Sequence, residues 1–346
     1  MGIKLKNISE QVIVITGATS GIGLTTARMA SEAGAKLVLV ARAEEALQQL
    51  VEELRDKGRE AIAVVADVGK EEDVARVSTA ALASFGRVDT WVNNAGISIF
   101  GKLDEVSLDD QRRLFDTNFW GTVHGSLQAV KLLRANGGAL INIGSELSDH
   151  AVPLQGIYSA SKHAVKGYTD SLRHELEHDK LPISVTLIKP AAIDTMLVVH
   201  AKNYMQEEPQ LPSPVYAPEL VARAILYAAA HPKRDVFVGG AAKLASFGAK
   251  AAPGLSDKFV SSVMVSQQKS DQPSAPDRRD ALHEADPRSE LRQRQGMDKH
   301  VAEHCPYTAV SMRTEPWMTA LVGGGALFAA WRLIRRPGVA AGRLGG

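Results

Sequence analysis

The chain has 346 residues, 45% of them hydrophobic and 23% charged, with a formal net charge of +1. That composition excludes disorder throughout and suffices for a large core, while the near-neutral charge gives no reason to expect a nucleic-acid partner, since phosphate binding needs a concentrated basic surface. A single cysteine, Cys305, excludes an internal disulfide framework and a multi-cysteine metal site; residues 1–10 hold no apolar run of the length a secretory leader needs, so a cytoplasmic location is expected.

From Val12 to about Gly240, short apolar, β-branched runs alternate with longer amphipathic stretches, the pattern of repeated βαβ units around a parallel sheet. Strands are predicted at 12–16, 36–41, 61–66, 88–93, 139–144, 183–188 and 236–238, and helices at 22–33, 44–57, 71–85, 108–135, 158–178 and 218–230. Near-continuous apolar strands such as Val12-Ile13-Val14-Ile15 imply helices on both faces. The expected fold class is therefore α/β: a doubly wound, Rossmann-type three-layer fold with a seven-stranded parallel sheet, occupying 1–265. Residues 266–316, rich in Gln, Ser, Asp, Arg and Pro, are expected to form a polar flexible linker. It leads to an apolar segment, 317–336, framed by Trp317 and Trp331 and followed by Arg332, Arg335 and Arg336, and then to a tail, 337–346. The segment is expected to touch a membrane, with packing on the catalytic domain or a partner subunit as the alternative; 318–334 stands at the lower limit for a helix spanning a bilayer.

The first predicted strand runs into Thr16-Gly17-Ala18-Thr19-Ser20-Gly21-Ile22-Gly23. In a dinucleotide-binding fold Gly17 permits the tight turn, Gly21 lets the backbone approach a pyrophosphate and Gly23 allows close helix packing. The helix N-terminus offers free N–H groups and a positive dipole end to the phosphates. The second strand ends Leu39-Val40-Ala41-Arg42, with no acid to bond a ribose 2′-hydroxyl and an arginine suited to a 2′-phosphate. NADP(H) is the expected cofactor. Ser20 stands where a second basic residue is usual, which leaves NAD(H) open. Farther on, Tyr158 and Lys162 lie four apart on a predicted helix and share a face, so a cation can stand near the phenol oxygen. Such a cation favours the phenolate and lowers the tyrosine pKa.

With Asn93-Asn94-Ala95-Gly96, and with Ser145 thirteen residues before Tyr158, these motifs make the chain resemble the short-chain dehydrogenase/reductase family over about residues 7–240. The resemblance implies Tyr158 as general acid/base, Lys162 as the residue that bonds the nicotinamide ribose and lowers the tyrosine pKa, and Ser145 as the group that orients the substrate oxygen. Asn118 would hold a water linking the lysine to solvent. Cofactor contacts would come from Thr16, Gly17, Thr19, Ser20, Gly21, Ile22 and Gly23, from Arg42, from Asp67 and Val68 near the adenine, from Asn94, Ala95 and Gly96, and from Pro190, Ile193 and Thr195 near the carboxamide. Ala191 departs from the family's Pro-Gly and is expected to reshape that loop; no metal is expected. The implied activity is hydride transfer between NADP(H) and a carbonyl or alcohol, by a homodimer or homotetramer. An apolar substrate is expected under a lid at 196–216, with Ile99, Phe100, Val152 and Leu154 facing it. Two rival functions share the sequence features: epimerase or dehydratase chemistry, and a non-catalytic nucleotide-sensing scaffold at a membrane.

Overall fold

A computed structural model describes residues 3–296 and 300–313. Seven strands, β1 Val12–Thr16, β2 Lys36–Ala41, β3 Ala61–Val65, β4 Thr90–Asn93, β5 Gly138–Ile143, β6 Ile183–Pro190 and β7 Asp235–Val238, form one parallel sheet in the order β7-β6-β5-β4-β1-β2-β3. The order reverses between β1 and β4, and a crevice opens there at the carboxyl ends of the strands.

The two-residue period of a strand divides the core into two layers. Ile13, Ile15, Leu37 and Leu39 face α1 (Gly21–Glu32), α2 (Glu44–Asp56) and the helix Pro218–Ala230, burying Leu24, Leu47, Leu50 and Val221. Val12, Val14, Val38 and Val40 face the opposite way, against Val74, Val77, Ala129, Leu133 and Leu172 of α3 (Glu71–Phe85), α5 (Gly121–Leu133) and α6 (Gly156–His178). Under α5 and α6 the packing is polar: Asn93 Nδ2 donates to Asn142 Oδ1 (2.9 Å) and Ser126 Oγ (3.2 Å), and Asn142 Nδ2 donates to Thr169 Oγ1 (2.9 Å). These side chains satisfy one another without water, so β4, β5, α5 and α6 are held in one register.

The predicted helix 108–135 is not continuous. It divides into α4 (Leu108–Phe115) and α5, with one π turn, Asp116–Trp120, between them, closed by Gly121 N–H donating to the Asp116 carbonyl. Such a turn swells the helix by one residue and re-aims the side chain inside it, here Asn118. Two helices that sequence periodicity missed, Gly240–Ala251 and Pro253–Phe259, follow β7.

The largest correction concerns 266–313, expected to be a flexible linker. It lies down on the domain: Lys269–Pro273 pairs antiparallel with Glu207–Pro209, Val301–Ala302 pairs in parallel with Val215–Tyr216, and Leu282 is fully buried among Ile97, Leu114 and Val106. Its polar residues are spent on specific partners, such as Arg278 on Glu208 (2.9 Å) and Arg294 on Glu219 (2.7 Å), which composition cannot reveal. The expected apolar segment 317–336 and tail 337–346 lie outside the described residues. Among those residues no helix is long and apolar enough to cross a membrane.

Amide hydrogen exchange tests the packed segment. The N–H groups of Ala281 and Leu291 donate to the carbonyls of His200 (2.8 Å) and Thr19 (2.7 Å), so they should exchange at least ~100-fold more slowly than in an unstructured chain. Exchange of both at the free-chain rate would restore the linker.

Candidate active site

The crevice is anchored by a short set of bonds between the ends of β1 and β4. Thr16 Oγ1 accepts from the N–H groups of Asn94 and Ala95 (3.0 Å each), and Asn94 Nδ2 donates to the carbonyls of Thr16 (2.9 Å) and Gly17 (3.2 Å). Gly17 turns with φ of +66°, and a Cβ on Gly23 would stand 1.9 Å from the Gly17 carbonyl oxygen. Only glycine fits there, because α1 starts directly against the turn. Thr16 and Gly23 therefore build the cradle without lining it, whereas Asn94 does both.

Two cavities share this cradle. A small one, about 90 Å³, is walled by Gly17, Thr19, Ser20, Arg42, Asp67, Val68, Ala95 and Gly96, and additionally by His200, Ala281, Ala285 and Glu290. A larger one, about 700 Å³, is walled by Gly17, Ser20, Gly21, Ile22, Asn94, Ala95 and Gly96 on one side and by Ser145, Tyr158, Lys162, Pro190, Ile193 and Thr195 on the other. Together they form a trough with the small-residue backbone that an extended dinucleotide needs at its pyrophosphate, and the residues present fit that group.

The side chains of Ser145 and Tyr158 both line the larger cavity, with the serine hydroxyl near enough to act on the phenol. Ser145 ends β5 and starts a short 3₁₀ turn, Glu146–Ser148; its Oγ accepts from Leu147 N–H (3.1 Å). Tyr158 and Lys162 are on the first turns of α6, and Lys162 Nζ lies 5.7 Å from the Tyr158 ring centroid while donating to the Ile143 carbonyl (2.9 Å). Asn118 stands one layer back: its Oδ1 accepts from Ile97 N–H (2.9 Å) and its Nδ2 donates to Ile97 O (2.9 Å) and Ser161 Oγ (3.1 Å). The π turn thus clamps the loop after β4 to α6.

The electrostatics depart from expectation. Burial pushes the Tyr158 phenol up to about 12, against the Ser145 hydrogen bond and reinforced by Glu146, and burial pulls the Lys162 ammonium down to about 8. The lysine does not lower the tyrosine here, because desolvation of both groups dominates and the ammonium is turned to a carbonyl. Glu146, which sequence reasoning overlooked although it adjoins Ser145, is pushed up to about 7 by burial and lines the same cavity.

The substrate end also differs. Val152 and Leu197 line the large cavity as expected, joined by Leu211 and Met196. Ile99 and Phe100 instead pair with Lys202–Asn203 and are core, and Tyr204 turns away to donate to Asp110 Oδ2 (2.7 Å). The missed helices supply the far wall through Leu244, Leu255 and Phe259, and the π turn that follows them, Val260–Met264, adds Val260 and Met264. Leu244 and Leu255 remain 71% and 72% exposed, so the mouth has an apolar rim. Ala191 lies in this wall without a left-handed φ, which the family's glycine would have allowed and which the loop does not use.

Arg42 is not free. Its guanidinium donates to the carbonyls of Ala281, Leu282 (3.2 Å) and His283 (3.0 Å), and Arg113 donates to the Leu282 carbonyl (3.1 Å) and to Asp67 Oδ2 (2.7 Å). Neither Arg113 nor the 281–292 stretch carries a local sequence signal, because long-range folding alone brings them to the site.

Comparison with known proteins bears on the family and the fold. A family model described as short chain dehydrogenase matches residues 11–205. The chain is 50% identical over 286 residues to the "Uncharacterized oxidoreductase YxnA" of Bacillus subtilis, covering 82% of this chain and 80% of that one. It is 36% identical over 243 residues to 11-beta-hydroxysteroid dehydrogenase A of Sesamum indicum, covering 67% and 69%. Among solved structures, a short chain dehydrogenase/reductase of Burkholderia phymatum in complex with NAD superposes with a TM-score of 0.64 at 26% identity, covering 80% of this chain and 100% of that one. An alcohol dehydrogenase of Thermococcus sibiricus complexed with 5-hydroxy-NADP gives 0.58 at 27%, covering 66% and 95%.

The buried carboxyl yields a pH prediction. Below pH ~4.5 Glu146 is protonated folded or unfolded; between ~4.5 and ~7 the folded chain holds a proton that the unfolded chain has lost, so stability contributed by the neutral acid falls as pH rises through that window. In thermal melts, Glu146→Gln should gain Tm over wild type progressively from pH 5 to pH 8. A difference independent of pH would show that Glu146 is not held neutral.

Proposed function

Because the chain belongs to the short-chain dehydrogenase/reductase family, whose members are nicotinamide-dependent oxidoreductases acting on CH–OH and C=O groups, we propose that it transfers hydride between NADP(H) and an apolar alcohol or ketone of roughly sterol size. The observation that carries this reading is the meeting of Ser145, Tyr158 and Lys162 at one cavity of about 700 Å³ whose outer wall is Leu, Val, Met and Phe. The sesame relative acts, by its name, on a hydroxysteroid, a rigid apolar alcohol of that bulk. The bound nicotinamide supplies or accepts the hydride.

The chain's own groups do the rest. Tyr158 Oη gives its proton to the substrate oxygen as a carbonyl becomes an alcohol, and takes it back in the reverse direction. Ser145 Oγ, fixed by Leu147 N–H, orients that oxygen and bonds it as charge develops. Lys162 is poised to turn from the Ile143 carbonyl toward the cofactor ribose and the tyrosine, where its charge would draw the phenol down from about 12. Asn118 positions Lys162 indirectly, by clamping Ile97 and Ser161. Thr16, Gly17, Thr19, Ser20, Gly21, Ile22 and Gly23 would carry the pyrophosphate; Asp67 and Val68 the adenine; Asn94, Ala95, Gly96, Pro190, Ile193 and Thr195 the nicotinamide half. Arg42, at a strand end without an acid, favours NADP(H). Exposed Leu108, Trp120 and Leu127 around α4 and α5 support a homo-oligomer, and the apolar rim supports contact with a membrane.

Two substitutions test this. Tyr158→Phe should cut turnover at least ~100-fold while NADPH affinity stays within about twofold; unchanged turnover would return the chain to a nucleotide-binding scaffold. Arg42→Ala should weaken NADPH binding about tenfold or more with less effect on NADH, and equal losses would remove the basis for NADP(H).

A further inference from the structure

The C-terminal stretch 281–292 is the outer wall of the small cavity, and it is fastened to the two features that read a dinucleotide. Leu291 N–H donates to the Thr19 carbonyl (2.7 Å) and Gly21 N–H donates to the Arg292 carbonyl (2.9 Å), which binds the strap to the glycine turn. Three successive carbonyls, 281 to 283, take the Arg42 guanidinium. Between these fastenings stands Glu290. Leu291 takes a left-handed φ of +56°, and this turn leaves the preceding carboxylate in the cavity wall beside Thr19, Ser20 and Arg42. Glu290 lies beside Thr19, burial pushes its carboxyl up, and its Oε2 is buried with no hydrogen-bond partner among the described residues. A buried carboxylate oxygen without a donor is costly unless a ligand supplies one.

We propose that Glu290 is a specificity-determining residue for the cofactor: its carboxylate accepts a hydrogen bond from the 2′-hydroxyl of the adenosine ribose and repels a 2′-phosphate, opposing Arg42. Dinucleotide folds that select a free hydroxyl place an acid at the end of the second strand. Here that position lacks one, and the acid arrives from about 250 residues later in the chain, on the wall facing the same arginine. A 2′-phosphate has to take Arg42 from three carbonyls and bring its charge beside Glu290, whereas a hydroxyl fills the vacant acceptor with the strap in place. The charges that act on Glu290 are Arg42, which attracts it, and Asp286, which repels it, while Arg113 stands beside Arg42 already paired with Asp67 (2.7 Å). The inference rests on the reading of the trough as a nicotinamide dinucleotide site, and it sets Glu290 against the preference for NADP(H) drawn from Arg42.

Fluorescence titration of the full-length protein with NADH and NADPH tests it. Glu290→Gln should weaken NADH several-fold and tighten NADPH, moving the ratio of the two Kd values about tenfold toward NADPH, while Glu290→Asp, which keeps the charge, should stay within about threefold of wild type. A ratio unmoved by Glu290→Gln overturns the proposal. Should the variants not fold, wild type alone suffices: NADH should bind several-fold more tightly than its 2′-deoxy analogue, and equal affinity overturns the proposal. Binding of neither NADH nor NADPH to wild type would instead overturn the cofactor reading itself.

Discussion

Everything at this site depends on one close approach, the start of α1 against the ends of β1 and β4. The Gly23 backbone sits where any side chain would collide with the Gly17 carbonyl, and Asn94 fills the remaining gap with bonds to the same turn. Because that contact is made by backbone, the turn is held in place, and the head of α1 is fixed against the crevice, with its first N–H, that of Gly21, taken by the Arg292 carbonyl of the strap. The trough, the cavity behind it and the strap across it are all registered to this junction.

The catalytic side is registered differently. Ser145, Tyr158 and Lys162 come from β5 and α6, and these elements reach the junction through buried amides and hydroxyls: Asn93 to Asn142, Asn142 to Thr169, and Asn118 to Ile97 and Ser161. A polar core of this kind has few alternative packings, since a shift of any element strands several donors at once. The π turn at Asp116–Trp120 belongs to the same scheme, giving Asn118 a direction that regular helix geometry would deny it.

What was legible in the sequence were the parts governed by local rules. Period-two and period-3.6 patterns placed all seven strands and the main helices within a few residues, and the motifs with glycine or four-residue spacing brought the expected residues to one trough. Legibility failed where contacts are long-range. Polar residues of 266–313 resembled a linker because composition does not show that Arg278, Arg294 and Gln293 each meet a partner. Ile99 and Phe100 looked like cavity residues but a small strand pairing took them into the core. Helices Gly240–Ala251 and Pro253–Phe259 went unseen because their large apolar residues are left outward around the cavity mouth, not turned to the core.

The position of the strap in the chain has a consequence for biosynthesis. Thr19 and Gly21 leave the ribosome some 270 residues before Leu291 and Arg292, to which they are joined. The last strand of the sheet ends at Val238, so at translation rates of roughly 5–20 residues per second the doubly wound sheet can close about 3–10 seconds before its last wall exists. The nascent domain therefore passes through a period in which the adenosine trough is open on its outer side, the Gly21 N–H is unbonded by the strap and Arg42 is uncovered.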